Sequence, residues 1–295
     1  MRIVYHLGAH CTDDERLLRC LLKNRGTLSE QGILVPGPTR YRNLLRDTAV
    51  ALKGQPASED TQAMVLDQII EDDRPDRLIL CWDSFLSYAP WAMDGALYPA
   101  AADRIRAFSQ IFPEVEAEFF LALRNPATFL PALFDKQKAM KGGAKTFAEF
   151  MKGYDPKAVL WSDVIDRILS VNPYIPLTIW CDEDTPLIWP EVVQAVSGHD
   201  VGTRLEDDHE LLTQIMSAEG LKRMQAYLAS HPVTAPDLRR KVVSAFLDKF
   251  AVPDRINVEV EVPDWTADSV ASLTRIYERD VARIAAMKGI RFIAP

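Results

Sequence analysis

The chain predicts an α/β fold, a three-layer α/β/α sandwich around a mainly parallel sheet with a helical C-terminal region. Three observations carry that expectation. Short, almost wholly apolar runs bounded by turn residues recur at 3–7, 33–35, 77–82, 118–124 and 177–181. Strands apolar on both sides belong to parallel sheets that helices cover on both faces. Between the runs lie segments with apolar residues at helical spacing, and such alternation builds βαβ units. Beyond about residue 205 the strand signal fades, and 211–229, 236–250 and 268–288 read as helices.

The first run, Ile-Val-Tyr-His-Leu, feeds a short turn with Gly8 and then a helix with Leu17, Leu18, Leu21 and Leu22 on one face. Gly32 punctuates the chain before the second strand, and the polar stretch 54–60 reads as a surface loop. The third strand leads into an aromatic-rich loop, and the fourth ends at Arg124, before the helix-opening Asn125-Pro126. Pro236 opens a late helix whose Leu238, Val242, Val243 and Phe246 follow helical spacing. The expectation is one α/β domain over 1–295, with 205–295 a helical cap packed on it.

Composition narrows the function classes. A net charge of -8 over 295 residues disfavours nucleic acid or an anionic membrane surface as partner, since both need clustered Lys and Arg. Cys11, Cys20, Cys81 and Cys181 are scattered, without zinc-site or CxxC spacing, and read as reduced thiols. The N-terminus enters a strand after one basic residue, and the longest apolar stretch, 119–134, is interrupted by Arg124, Asn125, Pro126 and Pro131. A soluble, cytoplasmic protein is expected.

The turn after the first strand holds the most chemistry. A strand leading into a helix N-terminus presents free amides and the positive end of the helix dipole, the layout of a phosphate-binding loop. Such a loop also needs glycine for close approach, a lysine for charge, and hydroxyl donors. Gly8 is in place, but Cys11 stands where the cation belongs, and Asp13, Asp14 and Glu15 follow. Losing a charge-assisted hydrogen bond costs roughly 1.5–3 kcal/mol. With added carboxylates, a phosphate ligand would weaken about a thousandfold. The favoured alternative is structural: Thr12 and Glu15 match a capping box, with Asp13 and Asp14 suited to the first turn of a helix. A divalent metal on His6, His10, Asp13 or Asp14, and a reactive Cys11, are the weaker readings.

The turn belongs to a longer pattern. The run 6–15, then Asn24-Arg25 and Gly32-Ile33-Leu34-Val35-Pro36, resembles the start of bacterial sulfotransferase-like proteins. A second block, Leu121 through Pro126 with Phe129 to Phe134 and then Gly142-Gly143 and Phe147 to Phe150, is similar to the family's second cofactor element. Leu80 to Ser84 with Leu97-Tyr98-Pro99 resembles its middle strand and loop, and 277–295 its last helix and short final strand. The resemblance implies a P-loop-type sheet binding 3′-phosphoadenosine-5′-phosphosulfate (PAPS), or the product PAP, at Gly8, Ala9, His10, Cys11, Thr12 and Arg124. It also implies a loss, because Ala132 takes the place of the family's serine and the first loop lacks its lysine, glycine and hydroxyls.

The remaining candidates are weighed between structure and function. Arg124 suits bidentate phosphate binding or a structural ion pair. Trp82, Phe85, Tyr88, Trp91 and Tyr98 surround the loop where the resembled family would hold an acceptor, or simply pack. Asp83 is the candidate general base, with a turn-stabilising role as the bland alternative. Glu206-Asp207-Asp208-His209-Glu210 reads as dipole compensation at a helix start, and Arg239, Arg240 and Lys241 as a solvated face. The leading functional expectation is a sulfotransferase-like protein with a degraded PAPS site, retained to bind a metabolite or a protein. The alternatives are an active sulfotransferase acting on a hydroxyl or amine, and a metal-dependent activity at the acidic turn. No metal is assigned.

Overall fold

The computed structural model describes residues 1–70, 75–140, 143–207, 209–233, 235–256, 262–263 and 265–295. In chain order come β1 (Arg2–His6), α1 (Arg16–Lys23), α2 (Arg25–Ser29), β2 (Ile33–Leu34), α3 (Pro38–Leu52), α4 (Glu59–Ile69) and β3 (Arg77–Cys81). Then follow α5 (Ala101–Ser109), β4 (Glu116–Leu123), α6 (Pro126–Lys138), α7 (Phe147–Met151), α8 (Trp161–Val171), β5 (Leu177–Cys181) and α9 (Thr185–Ser197). The last part holds α10 (Glu210–Ile215), α11 (Ala218–Ser230), α12 (Pro236–Phe250), α13 (Pro253–Ile256), α14 (Ala267–Ala285) and β6 (Ile290–Ile293).

The six strands form one sheet in the order β2-β3-β1-β4-β5-β6, and every pairing is parallel. Alternation at period 2 divides the strand side chains between two cores. Ile3 and Tyr5 point into one with α3, α4, α5, α6, α8 and α14. Val4, Ile79 and Phe120 point into the other with α1, α2 and α9. Side chains such as Val4 and Ile79, wholly buried, each contribute about 1.5–3 kcal/mol. Tyr5 stacks on Phe119 at 5.2 Å and meets Phe85 edge-on at 5.4 Å. The three-layer α/β/α sandwich is thus the observed fold.

Three local expectations change. The 54–60 loop is shorter, because Ser58 caps α4 by accepting the Thr61 amide. The helix expected over 211–229 is two, since Met216 turns extended and Ser217 accepts the Gly220 amide to start α11. Nor is all of 205–295 cap: α14 lies with α8 and α6, and β6 closes the sheet edge beside β5. Among the described residues, α10, α11 and α12 share a small separate cluster around Leu212, Met216, Met224 and Val243. Among the described residues no helix is long and apolar enough to cross a membrane.

The topology fixes where a ligand can sit. From β1 the chain leaves toward β2 on one side, whereas from β4, the next strand in the sheet, it leaves toward β5 on the other. In open parallel sheets the crevice beyond the strand ends at such a reversal is the usual binding place. The turn 7–15 lies there.

Candidate functional site

A cleft of about 290 Å³ opens beside that reversal, on the β3 side of β1. Its walls are the β1–α1 turn, the ends of β1 and β3 with Trp82 and Asp83, and two side chains from the covering helices, Arg42 of α3 and Lys136 of α6. Gly8, Ala9, Cys11 and Thr12 line it; His10 and Arg124 do not. His10 turns into the core, where its Nδ1 lies 2.8 Å from the Tyr98 hydroxyl, which also accepts the His10 amide at 3.0 Å. Burial lowers the His10 pKa to about 4.

The turn keeps an unusual backbone. Gly8, Cys11, Asp14 and Glu15 all have φ between +45° and +62°, a conformation that costs a non-glycine residue roughly 1–2 kcal/mol. This geometry overturns the expected capping box. A box needs the residues between cap and partner to be helical, but Asp14 and Glu15 are left-handed, so α1 starts only at Arg16. Thr12 instead donates its hydroxyl to the Ala9 carbonyl at 2.7 Å. Asp13 takes the capping role, its two oxygens accepting the Glu15 and Leu17 amides at 3.3 and 3.0 Å. A true capping box does occur, at Thr146 and Glu149 of α7.

The acidic turn is charge-paired. Glu15 meets Arg42 at 2.7 Å, and Arg42 also donates to the Cys81 carbonyl. Asp14 lies 3.6 Å from Arg16 and is largely exposed. The Lys136 ammonium sits 2.5 Å from Asp83. Burial opposes both charges of that pair, yet the lysine pKa is raised by the hydrogen bond to Asp83, and the Asp83 pKa is lowered by His10 and Lys136. Asp83 also accepts from Ser84. Cys11 is half-buried, and burial raises its thiol pKa.

Arg124 serves the turn from behind β4. Its Nη1 donates to the Cys11 carbonyl and its Nε to Thr128 at 3.1 Å, and its charge acts on the nearby carboxyl of Asp182. The next amide, Asn125 N–H at the start of α6, donates to Glu183 at 2.7 Å, and Glu183 also accepts from the Tyr277 hydroxyl at 3.0 Å. Nearby Asp182 is driven up to about pKa 7 by burial, with Glu183, Asp13 and Asp14 adding to the rise against Arg124.

Sequence reasoning missed Lys136 and Arg42. Both lie on amphipathic helices far from the turn, and only their place on the helix face beneath the strand ends could have marked them. Of the expected aromatics, Trp82 alone lines the cleft, while Phe85 and Tyr98 are core residues and Trp91 is exposed. In the 206–210 run, Glu206 and Asp207 pair with Lys23 at 3.3 and 2.8 Å, and Asp208 falls outside the described residues, as does Gly142. Among the described residues no three His, Cys, Asp or Glu side chains converge to hold a metal. Arg239 and Arg240 are not a solvated face; both turn inward onto Glu191 of α9, and only Lys241 is exposed.

The chain matches no protein-family model and no curated protein. A solved structure, the sulfotransferase from Alicyclobacillus acidocaldarius, is similar at 16% identity and a TM-score of 0.38, over 83% of this chain and 98% of that one. A likeness so distant assigns neither substrate nor residues.

Proposed function

We propose that this chain is a sulfotransferase-like protein that has given up PAPS and keeps the β1–α1 cleft for a small ligand without a phosphate group. The observation that carries the reading is that its own carboxylates occupy both helix starts where anions would bind. Asp13 takes the amides of Glu15 and Leu17 at the start of α1, and Glu183 takes the Asn125 amide just before α6. Arg42 and Lys136 are neutralised by Glu15 and Asp83, and Arg124 turns two of its five N–H donors to the Cys11 carbonyl and Thr128. Four carboxylates against two cations in the cleft walls repel a polyanion. These residues do not fit PAPS.

One observation favours an active enzyme instead: Lys136 brings to the cleft the cation that the turn itself lacks, as sulfuryl transfer would require by analogy with phosphoryl transfer. Calorimetric titration with PAP separates the two. The proposal expects no saturable binding below about 1 mM, and gain of binding when Cys11→Lys, Asp13→Gly, Asp14→Thr and Glu15→Thr are combined. Micromolar PAP affinity in the wild type that Lys136→Met abolishes would overturn the proposal, and sulfuryl transfer from PAPS to a hydroxyl or amine acceptor would then be the test of the active reading.

A further inference from the structure

A second cavity, of about 530 Å³, lies away from the turn where α9, the start of α12 and β6 meet. Its walls include Glu191, Pro236, Arg239, Arg240, Arg291 and Phe292. In a chain of net charge -8, three guanidinium groups and one carboxylate among the described wall residues invert the overall balance. Arg240 Nε donates to Glu191 at 3.0 Å, and Arg239 Nη1 lies 3.9 Å from the other Glu191 oxygen. Asp237, also 3.6 Å from Arg240, is largely in solvent.

Register explains the convergence. Arg291 pairs with Thr178, which places it on the sheet face that α9 covers, two residues before Ile293 in the core of that face. From the other side α12 begins at Pro236, and its cap residue Ala235 offers no side-chain acceptor to the first-turn amides. The positive end of a 15-residue helix therefore adds to the arginine field. Pro190, Pro236 and Ile293 supply an apolar wall.

We propose that this cavity binds a small oxyanion-bearing molecule with an apolar body, an aryl phosphate or aryl carboxylate. Guanidinium forks suit both groups, and the apolar wall favours a ring over a bare ion. Titrating the full chain with phenyl phosphate, benzoate and inorganic phosphate tests it. One aryl anion should bind with a Kd of about 10 µM to 1 mM, more tightly than inorganic phosphate, and the tighter of the two identifies the group recognised. Arg291→Ala, at an exposed position of an edge strand, should weaken binding about tenfold without changing the melting temperature. Glu191→Gln removes the competing carboxylate and should tighten it. Lys136→Met, in the other cleft, should leave it unchanged. No saturable binding of either aryl anion, or binding indifferent to Arg291→Ala, overturns the proposal; if Glu191→Gln fails to fold, Arg291→Ala decides alone.

Discussion

Asp13 shows how one side chain can decide the meaning of a turn. Its carboxylate accepts two amides that an anionic ligand would otherwise use, so Asp13→Ala should destabilise the protein by about 1 kcal/mol, read by denaturant unfolding. Asp182 gives the clearest pH dependence. Burial raises its folded pKa to about 7 from an unfolded value near 3.9, so the folded state holds the extra proton. The contribution of Asp182 to stability is therefore full at low pH and is lost as pH rises from about 4 through 7. Asp182→Asn should abolish that loss. The difference in unfolding free energy between variant and wild type should move in the variant's favour across this window, by at most about 4 kcal/mol, and flatten above it. His10, lowered to about 4 by burial, slopes the opposite way but is common to both proteins and cancels. A difference that does not change with pH would place Asp182 in contact with solvent.

The β1–α1 unit was legible as strand, turn and helix because apolar runs and amphipathic spacing are local. The start of α1 was not, since Thr12 and Glu15 match a capping box in sequence while left-handed Asp14 and Glu15 break it in space. The α11–α12 pair makes the same point through packing. A Cβ added at Gly220 would lie 2.3 Å from the Phe250 Cβ, too near the backbone of α12 to be relieved by a rotamer change. Gly220→Ala should cost about 1–3 kcal/mol despite the better helix propensity of alanine, and its effect on melting temperature would expose the error if it stabilised instead.

Across the whole molecule, stability should be uneven. The sheet is packed on both faces, whereas among the described residues α10, α11 and α12 share a cluster of four buried side chains with partly buried ones such as Phe246 and Phe250 around it. Hydrogen exchange should therefore open α11 and α12 well before β1, β4 and β5, at a free energy below that of global unfolding. Equal protection would mean that these helices unfold only with the sheet. Motion there would alter the second cavity, which α12 walls, and leave the first cleft intact.

By itself the sequence determined the layers, five of the strand positions within a residue or two, and the place of the acidic turn, because apolar periodicity and turn residues act over short stretches of chain. It also showed that the turn lacks its own cation and carries carboxylates. Only the tertiary structure decided what those carboxylates do. Lys136 reaches Asp83 across 53 residues, Arg42 reaches Glu15, Glu183 reaches the amide of Asn125, and Arg291 joins Arg239 and Arg240. Each meeting depends on strand order and helix placement, and a charge carries no mark in the sequence of the partner that the fold will bring to it.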